Sequence, residues 1–143
     1  TTELYTLSLH DALPILDITV IDDTPPEINL SVSPSTLWPP NHKMVQITPT
    51  ITATDNCAEP IIELASIIMN EGDETNTYDP DYDSIIGDGH TANDIEVDEN
   101  GNIYLRAERS GTGSCRIYTI TYTATDASGN SVTANATVTV PHD

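Results

Sequence analysis

The sequence predicts an all-β fold, and three observations lead to this prediction. Apolar and polar residues alternate over several stretches of the 143-residue chain, which is the two-residue period of strands with one buried face. Segments rich in Pro, Gly, Asn and Asp separate these stretches, as turns do. Threonine is frequent and Phe is absent, a composition that favours half-solvated strands over a helical bundle.

The first predicted strand begins at Ile28. Its residues Ile28, Leu30 and Val32 face one way, and the polar residues between them face the other. Residues 34–43 contain three prolines, each of which removes a donor from a strand ladder. We therefore predict that this segment is a loop or an irregular edge crossing.

Two further strands are predicted in the first half of the chain. Residues 45–54 alternate over a long stretch, and Pro49 within it indicates a bend or an edge position. Residues 61–68 are more apolar and alternate less. That pattern is typical of a central strand packed on both faces, and we predict this position for them.

The second half of the chain is predicted to hold a long acidic loop, a hairpin and two long strands. Residues 70–94 are acidic and aperiodic, and a loop of such length in a compact domain is usually functional or locally structured. An Asn-Gly pair at positions 100 and 101 predicts a hairpin turn, and residues 126–130 predict another turn. The strands around these turns are residues 95–98, 103–108, 118–124 and 132–140. The total of about seven strands without a helix predicts an immunoglobulin-like antiparallel β-sandwich.

The chain is predicted to contain one complete module and the end of another. Residues 18–23 repeat the pattern of residues 138–143, and repetition of a whole module indicates a tandem array. We interpret residues 16–23 as the last strand and linker of a preceding module, and residues 24–143 as the sandwich module. Residues 1–15 do not complete the preceding module, and we predict that they are a disordered leader foreign to the fold.

Six segments spread along residues 23–143 carry a resemblance to a known kind of module. They are Asp-Thr-Pro-Pro-Glu-Ile at 23–28, Leu-Trp-Pro-Pro-Asn-His-Lys-Met at 37–44, Ala-Thr-Asp-Asn-Cys at 53–57, Gly-Asp-Gly-His-Thr-Ala-Asn-Asp-Ile at 87–95, Leu-Arg-Ala-Glu-Arg-Ser-Gly at 105–111, and residues 118–130. In these segments the chain resembles the bacterial extracellular Ig-like repeats related to hyaline-repeat (HYR) modules. The resemblance implies a spacer or adhesive unit of a large secreted or cell-surface protein. The two cysteines depart from that family's pattern, so its typical disulfide is not carried over to this chain.

The balance of charge excludes two classes of partner. The chain has 4 Lys and Arg against 23 Asp and Glu, a formal net charge of −19 at pH 7. So few cations cannot form a basic stripe for nucleic acid or a basic patch for an anionic membrane surface. No apolar run is long enough to cross a bilayer. We predict an extracellular protein whose partners are neighbouring modules of the same chain, with a glycan or a surface protein as a further candidate.

The alternating direction of the strands predicts a calcium site at one end of the sandwich, which we call the proximal end. The chain enters the module at this end, and the turns after the second strand and before the last strand return to it. These three segments carry carboxylates and amides, and Ca²⁺ takes about six to eight oxygen ligands of this kind. The predicted ligands are Asp22, Asp23, Glu27, Asp55, Asn56, Asp126 and Asn130. A calcium ion there would stiffen the junction with the preceding module.

The long acidic loop at the opposite end, which we call the distal end, holds a second set of candidate ligands. Asp79, Asp81 and Asp83 have the spacing that opens an EF-hand loop, although the flanking helices and the Glu at the twelfth position are absent. Asp88 and Asp94 follow them. For both ends the alternative interpretation is a solvated acidic surface that keeps the protein soluble.

Two other features allow two interpretations each. Trp38, which lies between Leu37 and two prolines, is either a platform on which a sugar ring stacks or a plug for the edge of the sandwich. The group of Arg106, Glu108 and Arg109 either holds a ligand carboxylate or forms a structural network with the acidic loop. In each case one interpretation is a binding site and the other is a structural role.

The two cysteines are predicted not to form a bridge within the module. Cys57 belongs to the proximal end, whereas Cys115 precedes Asp126 by the length of a strand and lies roughly 35 Å away. A disulfide needs Cα atoms within about 7 Å of each other. We therefore expect two unpaired thiols or pairing outside the module.

Catalysis has little support in the sequence. The chain contains no GxSxG motif, no Cys/His pair at a plausible spacing and no Gly-rich phosphate loop. Carboxylates are abundant, but they lack the apolar surroundings that would make one of them an acid catalyst. We predict a non-enzymatic structural or adhesive Ig-like repeat of a secreted or cell-surface bacterial protein, with a carbohydrate- or protein-binding adhesin module as the alternative.

Overall fold

The computed structural model describes residues 2–7, 16–70, 94–111 and 114–142. These residues form nine β-strands and no helix. The strands are β1 (Thr2–Leu7), β2 (Leu16–Ile21), β3 (Glu27–Ser33), β4 (Met44–Thr54), β5 (Ile61–Met69), β6 (Ile95–Val97), β7 (Ile103–Arg106), β8 (Arg116–Thr125) and β9 (Ser131–Val140). In this part of the chain no helix has the length and apolarity needed to cross a membrane.

Seven of the strands form two antiparallel sheets that pack face to face. One sheet has four strands in the order β3-β4-β7-β6, and the other has three in the order β5-β8-β9. This architecture confirms the predicted all-β sandwich of about seven strands. The other two strands, β1 and β2, pair with each other in a separate antiparallel sheet. That residues 1–15 are foreign to the fold stays a prediction.

The core lies between the two sheets and is built from alternate residues of both. Ile47 and Ile103 of the four-stranded sheet are at most 1% exposed. Ile67, Ile120 and Val138 of the three-stranded sheet are fully buried against them. Burial of an aliphatic side chain of this size stabilises a fold by roughly 1.5–3 kcal/mol, so these residues fix which face of each strand points inward.

Four strands alternate between more buried and less buried residues as the sequence predicts, namely β3, β4, β8 and β9. Within β4, the partner strand changes near the middle, since residues 44–47 pair with β7 and residues 48–54 pair with β3. Pro49 lies just beyond the last residue that pairs with β7. Its position past the end of that pairing explains how a proline is accommodated within a strand.

The prediction of a central strand for residues 61–68 is wrong, because β5 forms one edge of the three-stranded sheet. Ile67 is completely buried, whereas Ile61 and Ile68 are 67% and 42% exposed. A β-bulge between Leu64 and Ser66 shifts the register with β8. The apolar run therefore supplies one buried face and one solvated face, and its composition reflects an edge strand with an apolar outer surface.

The proline-containing segment crosses between the sheets, as predicted for an irregular edge crossing. Thr36 forms a parallel bridge with Thr139 of β9. The Leu37 N–H donates to the Thr139 carbonyl, and the Thr139 N–H donates to the Ser35 carbonyl, both at 2.9 Å. Leu37 is 2% exposed and packs into the core. This crossing segment thus ties the start of the module to its last strand.

The chain enters the sandwich at the proximal end and leaves it at the distal end. Asp22, just before β3, meets the turn at residues 126–130, because the Asn130 side-chain amide donates to the Asp22 carbonyl at 3.0 Å. At the far end of β9, the His142 N–H donates to the Cys115 sulfur at 3.3 Å. The entering and leaving segments therefore lie about one strand length apart.

Candidate functional site

Acidic residues from three separate segments meet at the proximal end, as the alternation of strand direction predicts. Asp22 follows β2 and is 6% exposed. Asp55 follows β4 directly, and Cys57 lies two residues further along. Asp22, Asp55 and Cys57 each have one potential metal-ligand atom, a carboxylate oxygen or the sulfur, and these atoms all lie within 4.8 Å of one another. We call Asp22, Asp55, Cys57 and Asp126 the proximal cluster.

Short local hydrogen bonds hold the first two aspartates in place. Asp22 Oδ1 accepts a hydrogen bond from the Thr24 N–H at 3.0 Å, and Asp55 Oδ2 accepts one from the Cys57 N–H at 3.1 Å. Both are Asx turns, which fix a carboxylate against its own backbone two residues on. The other oxygen of Asp55, Oδ1, is buried and has no hydrogen-bond partner among the described residues.

Asp126 is held more tightly, because it closes the turn between β8 and β9. Its Oδ1 accepts from the Ser128 and Asn130 N–H groups at 2.9 and 2.8 Å, and its Oδ2 accepts from the Asn130 side chain at 2.9 Å. Partial burial opposes ionisation of Asp126, but these hydrogen bonds and one with Asp22 outweigh it and lower the pKa of Asp126. Asp126 and Asn130, both predicted as calcium ligands, thus spend most of their hydrogen-bonding capacity on their own turn.

The same turn occurs a second time in the protein. Asp98 accepts from the Asn100 and Asn102 N–H groups at 2.9 Å each and from the Asn102 side chain at 2.8 Å. Gly101, like Gly129 of the other turn, has a positive φ, which only glycine adopts at little cost. The hydrogen bonds, led by that of the Asn102 side chain, lower the pKa of Asp98. Both turns share the sequence Asp-x-x-Gly-Asn, so the pattern is a hairpin closure and not by itself a metal motif.

The proximal cluster carries negative charge without a nearby Lys or Arg. The four cationic residues of the chain all belong to the distal end or to segments that lead to it: Lys43, Arg106, Arg109 and Arg116. Two like charges about 5 Å apart repel by roughly 3 kcal/mol at an effective dielectric constant of about 20. A bound cation or a proton would relieve this repulsion.

Cys57 is the member of the proximal cluster that the predicted ligand set omits. Loss of solvent, the charges of Asp22 and Asp55, and a hydrogen bond to Asp22 together raise the pKa of its thiol. Cys57 and Cys115 form no bridge with each other, as the sequence predicts; unpaired thiols and pairing outside the module both stay predictions. The sequence places Cys57 at the proximal end, but the one sign of its contact with the two aspartates is its position two residues after Asp55.

The remaining predicted ligands divide into two groups. Asp23, Glu27 and Asn56 have exposed side chains close in sequence to the proximal cluster. The other group lies outside the described residues and comprises Asp79, Asp81, Asp83 and Asp88. The first group is therefore available to complete a coordination shell at the proximal end.

Asp94 belongs to a different environment, a buried ion-pair network at the distal end. Its Oδ1 accepts from Arg106 Nε at 2.8 Å, and its Oδ2 accepts from Arg116 Nη1 at 3.0 Å. Asp94 and Arg116 are both fully buried. Because two guanidinium groups already face its oxygens, we leave Asp94 out of the proposed ligand set.

Glu108 completes this network from the other side. Its Oε1 lies 3.8 Å from Arg116 Nη2, and its Oε2 lies 2.5 Å from Nδ1 of the half-exposed His42. The Tyr118 hydroxyl accepts from Arg116 Nη1 and donates to the Arg106 carbonyl, and burial raises the pKa of Tyr118 to about 12. Of the two interpretations of Arg106 and Glu108, the structural network is thus the one that these contacts support.

Arg109, the third member of that predicted group, has a separate role. Its Nε donates to the Pro141 carbonyl at 2.9 Å, and its Nη1 donates to the Ser110 carbonyl at 3.2 Å. These contacts hold the segment that leaves β9 against the segment that follows β7. Arg109 therefore contributes to the exit of the chain from the module.

Trp38 does not plug the edge of the sandwich. Its side chain is 58% exposed, and the neighbouring Leu37 fills the core position instead. Trp38 borders a surface groove formed by the crossing segment and the start of β4. Of the two interpretations of Trp38, the exposed platform is the one that its burial supports.

Comparisons of the chain with protein-family models, with curated proteins and with solved structures gave no match. The contacts of the described residues therefore carry the functional argument. They define an acidic cluster with a buried carboxylate at the proximal end, a neutralised ion network at the distal end, and an exposed tryptophan beside a groove.

Proposed function

We propose that this protein is a non-catalytic structural module of a secreted or cell-surface bacterial protein. In this proposal it stands in a tandem array with similar modules, and a calcium ion at the proximal end stiffens its junction with the module before it. The observation that carries the proposal is the meeting of Asp22 and Asp55 beside the turn of Asp126, at the point where the chain enters the sandwich.

The position of the entering and leaving segments supports a spacer. Asp22 contacts the turn at the proximal end, and Pro141 is held by Arg109 at the distal end. The last strand between these ends has 10 residues, which corresponds to roughly 33 Å. A chain of such modules would therefore gain about one strand length with each copy, as an extended stalk requires.

The chemistry of the proximal cluster supports a hard divalent cation. Asp126 lies beside the Asp22 segment, because the Asn130 side-chain amide donates both to the Asp22 carbonyl at 3.0 Å and to Asp126 Oδ2 at 2.9 Å. Asp55 adds a buried oxygen without a hydrogen-bond partner in the described structure. Carboxylate oxygens are the preferred ligands of Ca²⁺, and the exposed Asp23 and Glu27 are near enough in sequence to supply more.

The role of Cys57 distinguishes calcium from zinc as the metal at the proximal end. A thiolate is a soft ligand that suits Zn²⁺ and is a poor ligand for Ca²⁺. In the calcium proposal, the protonated thiol of Cys57 lies beside the cation and does not coordinate it. A zinc site would instead require its thiolate.

The test is thermal unfolding of the protein in calcium chloride and in EDTA at constant ionic strength. If free calcium exceeds its dissociation constant about ten-fold, the fold gains about 1.4 kcal/mol. For a chain of this size that gain raises the melting temperature by roughly 4 °C. We expect Asp55→Asn to abolish the calcium-dependent shift, and Glu63→Gln, which removes an exposed charge on β5, to retain it.

Three results would contradict the calcium proposal. The first is a melting temperature that calcium leaves unchanged. The second is an equal loss of the shift in Asp55→Asn and Glu63→Gln, which would indicate screening of the net charge without a site. The third is stabilisation by zinc that Cys57→Ser removes, which would replace calcium by a thiol-ligated metal.

A further inference from the structure

The groove beside Trp38 differs in charge from the rest of the protein. It has a volume of about 550 Å³ and lies between the crossing segment and the first residues of β4. The chain has 23 Asp and Glu, yet none of them is among the described residues that line this groove. Among these lining residues the one charged side chain is that of Lys43, the single lysine of the chain. The groove is therefore open to anionic as well as neutral ligands, whereas most of the acidic surface would repel an anion.

Trp38 is presented on an anchored backbone. Before Trp38, the Leu37 N–H donates to the carbonyl of Thr139 in β9 at 2.9 Å. After Trp38, the His42 N–H donates to the carbonyl of Ala107, the residue that follows β7, at 3.0 Å. The backbone is therefore held on both sides of the tryptophan. Its 58% exposure leaves much of the indole available to a ligand. An aromatic ring held in this way loses little conformational entropy on binding.

Polar side chains surround the indole on the same surface. Asn41, Lys43 and Gln46 line the groove, and their amide and ammonium groups supply both donors and acceptors. Tyr104 lies directly opposite Gln46 across the β4–β7 pair and is half-buried, so a second aromatic residue lies on the same sheet face next to a residue of the groove. The groove thus combines aromatic surface with adjacent hydrogen-bonding groups.

We infer that this groove binds a saccharide, with one pyranose ring stacked on Trp38. A pyranose ring has a face of C–H groups that packs on an aromatic face, and an edge of hydroxyls that needs donors and acceptors beside it. Asn41 and Gln46 are placed to meet these hydroxyls, and Lys43 is placed to pair with the carboxylate of a uronic acid. Prolines beside the tryptophan also resemble the surroundings of peptide grooves, so a proline-rich peptide is the competing ligand that the test must separate.

Tryptophan fluorescence measures binding at this groove directly, because Trp38 is the only tryptophan of the chain. Its fluorescence is titrated with soluble neutral oligosaccharides, with uronic-acid oligosaccharides and with a proline-rich peptide. We expect both saccharide series to change the emission saturably, the uronic-acid series at lower concentration. Calorimetry then compares variants, and Trp38→Ala should weaken binding roughly tenfold or more, which corresponds to about 1.4 kcal/mol.

Two control variants make the result specific. Ile68→Ala truncates another exposed apolar side chain, on the three-stranded sheet, and should leave the affinity unchanged. Lys43→Gln should weaken the uronic-acid series roughly tenfold while leaving the neutral series unchanged. Far-ultraviolet circular dichroism and urea unfolding check that each variant is folded.

The inference fails if no saccharide changes the emission at millimolar concentrations, or if the proline-rich peptide alone binds. It also fails if Trp38→Ala, shown to be folded, binds the saccharide as tightly as the unaltered protein. None of these outcomes depends on calcium, since the titration is repeated in EDTA and the groove contains no residue of the proximal cluster.

Discussion

At the scale of single residues, the surroundings of each aspartate decide what its carboxylate does. Asp98 and Asp126 each accept three hydrogen bonds from their own turn. Asp94 is fully buried between two arginines. Asp22 and Asp55 lie together at the proximal end, away from every Lys and Arg. The same residue type therefore closes turns, neutralises buried cations and, in the proposed calcium site, supplies ligand oxygens.

Asp98→Asn should destabilise the fold in a pH-dependent way. The hydrogen bonds of the turn lower the pKa of Asp98 below its ordinary value of 3.8, so the folded state favours the ionised form. That stabilisation is present above the ordinary pKa and is lost as the pH falls through the lower pKa of the folded state. The difference in unfolding free energy between Asp98→Asn and the unaltered protein should thus shrink as the pH falls from 6 towards 2. Urea unfolding across this range measures it.

Glu99→Gln is the matched control, because Glu99 is exposed in the same turn and is the next residue in sequence. Its effect on stability should be small across the same pH range. A pH-independent difference for Asp98→Asn would show that the carboxylate charge does not stabilise this turn.

At the scale of whole elements, the two faces of β5 have very different contacts. Ile67 is completely buried, and the next residue, Ile68, is 42% exposed on the outer face of the sheet. Successive side chains of a strand point to opposite faces of the sheet, and those on the face away from the other sheet contribute little to the core.

Ile67→Ala and Ile68→Ala should therefore differ sharply in stability. Truncation of Ile67 leaves a cavity between the sheets and should cost about 2–5 kcal/mol. Truncation of Ile68 should cost roughly 0.5 kcal/mol or less, as at other exposed positions. Urea unfolding of both variants makes the comparison, and equal costs would mean that the outer face of β5 is covered in solution.

The sequence predicts the parts of this fold that are encoded locally. The buried faces of β3, β4, β8 and β9 follow from alternation within each strand. The order of strands in a sheet is not local, and an apolar run such as residues 61–68 has the same composition in a central strand and in an edge strand with an apolar outer face. This is why the predicted central position of β5 is wrong.

The candidate site shows the same limit. Alternation of strand direction is enough to bring Asp22 and Asp55 to one end. The hydrogen bonds of Asp126 within its own turn can be predicted from the sequence, because the same Asp-x-x-Gly-Asn pattern occurs at residues 98–102, where a hairpin is expected. The contact between Cys57 and Asp22 depends on side-chain distances, which no sequence period specifies.

At the scale of the whole molecule, a buried ion network joins the two sheets at the distal end. Arg116 belongs to β8 of the three-stranded sheet. Asp94 precedes β6, and Glu108 follows β7, so both of its carboxylate partners come from the other sheet. All three side chains are fully buried, which makes the balance of charge between them decisive.

Arg116→Met should destabilise the protein by about 3–5 kcal/mol, because it removes the buried guanidinium that Asp94 and Glu108 share and leaves Glu108 without an arginine beside it. Arg109→Met, which removes hydrogen bonds to backbone carbonyls, should cost roughly 1 kcal/mol. Urea unfolding measures both. Adding Glu108→Gln to Arg116→Met removes the buried carboxylate that no longer faces a guanidinium and should recover part of the loss, while Asp94 keeps Arg106. A cost for Arg116→Met no greater than that for Arg109→Met would contradict the role of the network.

The parallel bridge between Thr36 and Thr139 has a mechanical consequence. When the module is pulled from its two ends, the crossing segment is drawn one way and β9 is drawn the other. The two hydrogen bonds that join Leu37 and Ser35 to Thr139 lie across this pull, so they bear the load together, in shear. Under tension these two bonds should therefore break together, after the β3–β4 pairing that the pull reaches first, and should not unzip one at a time.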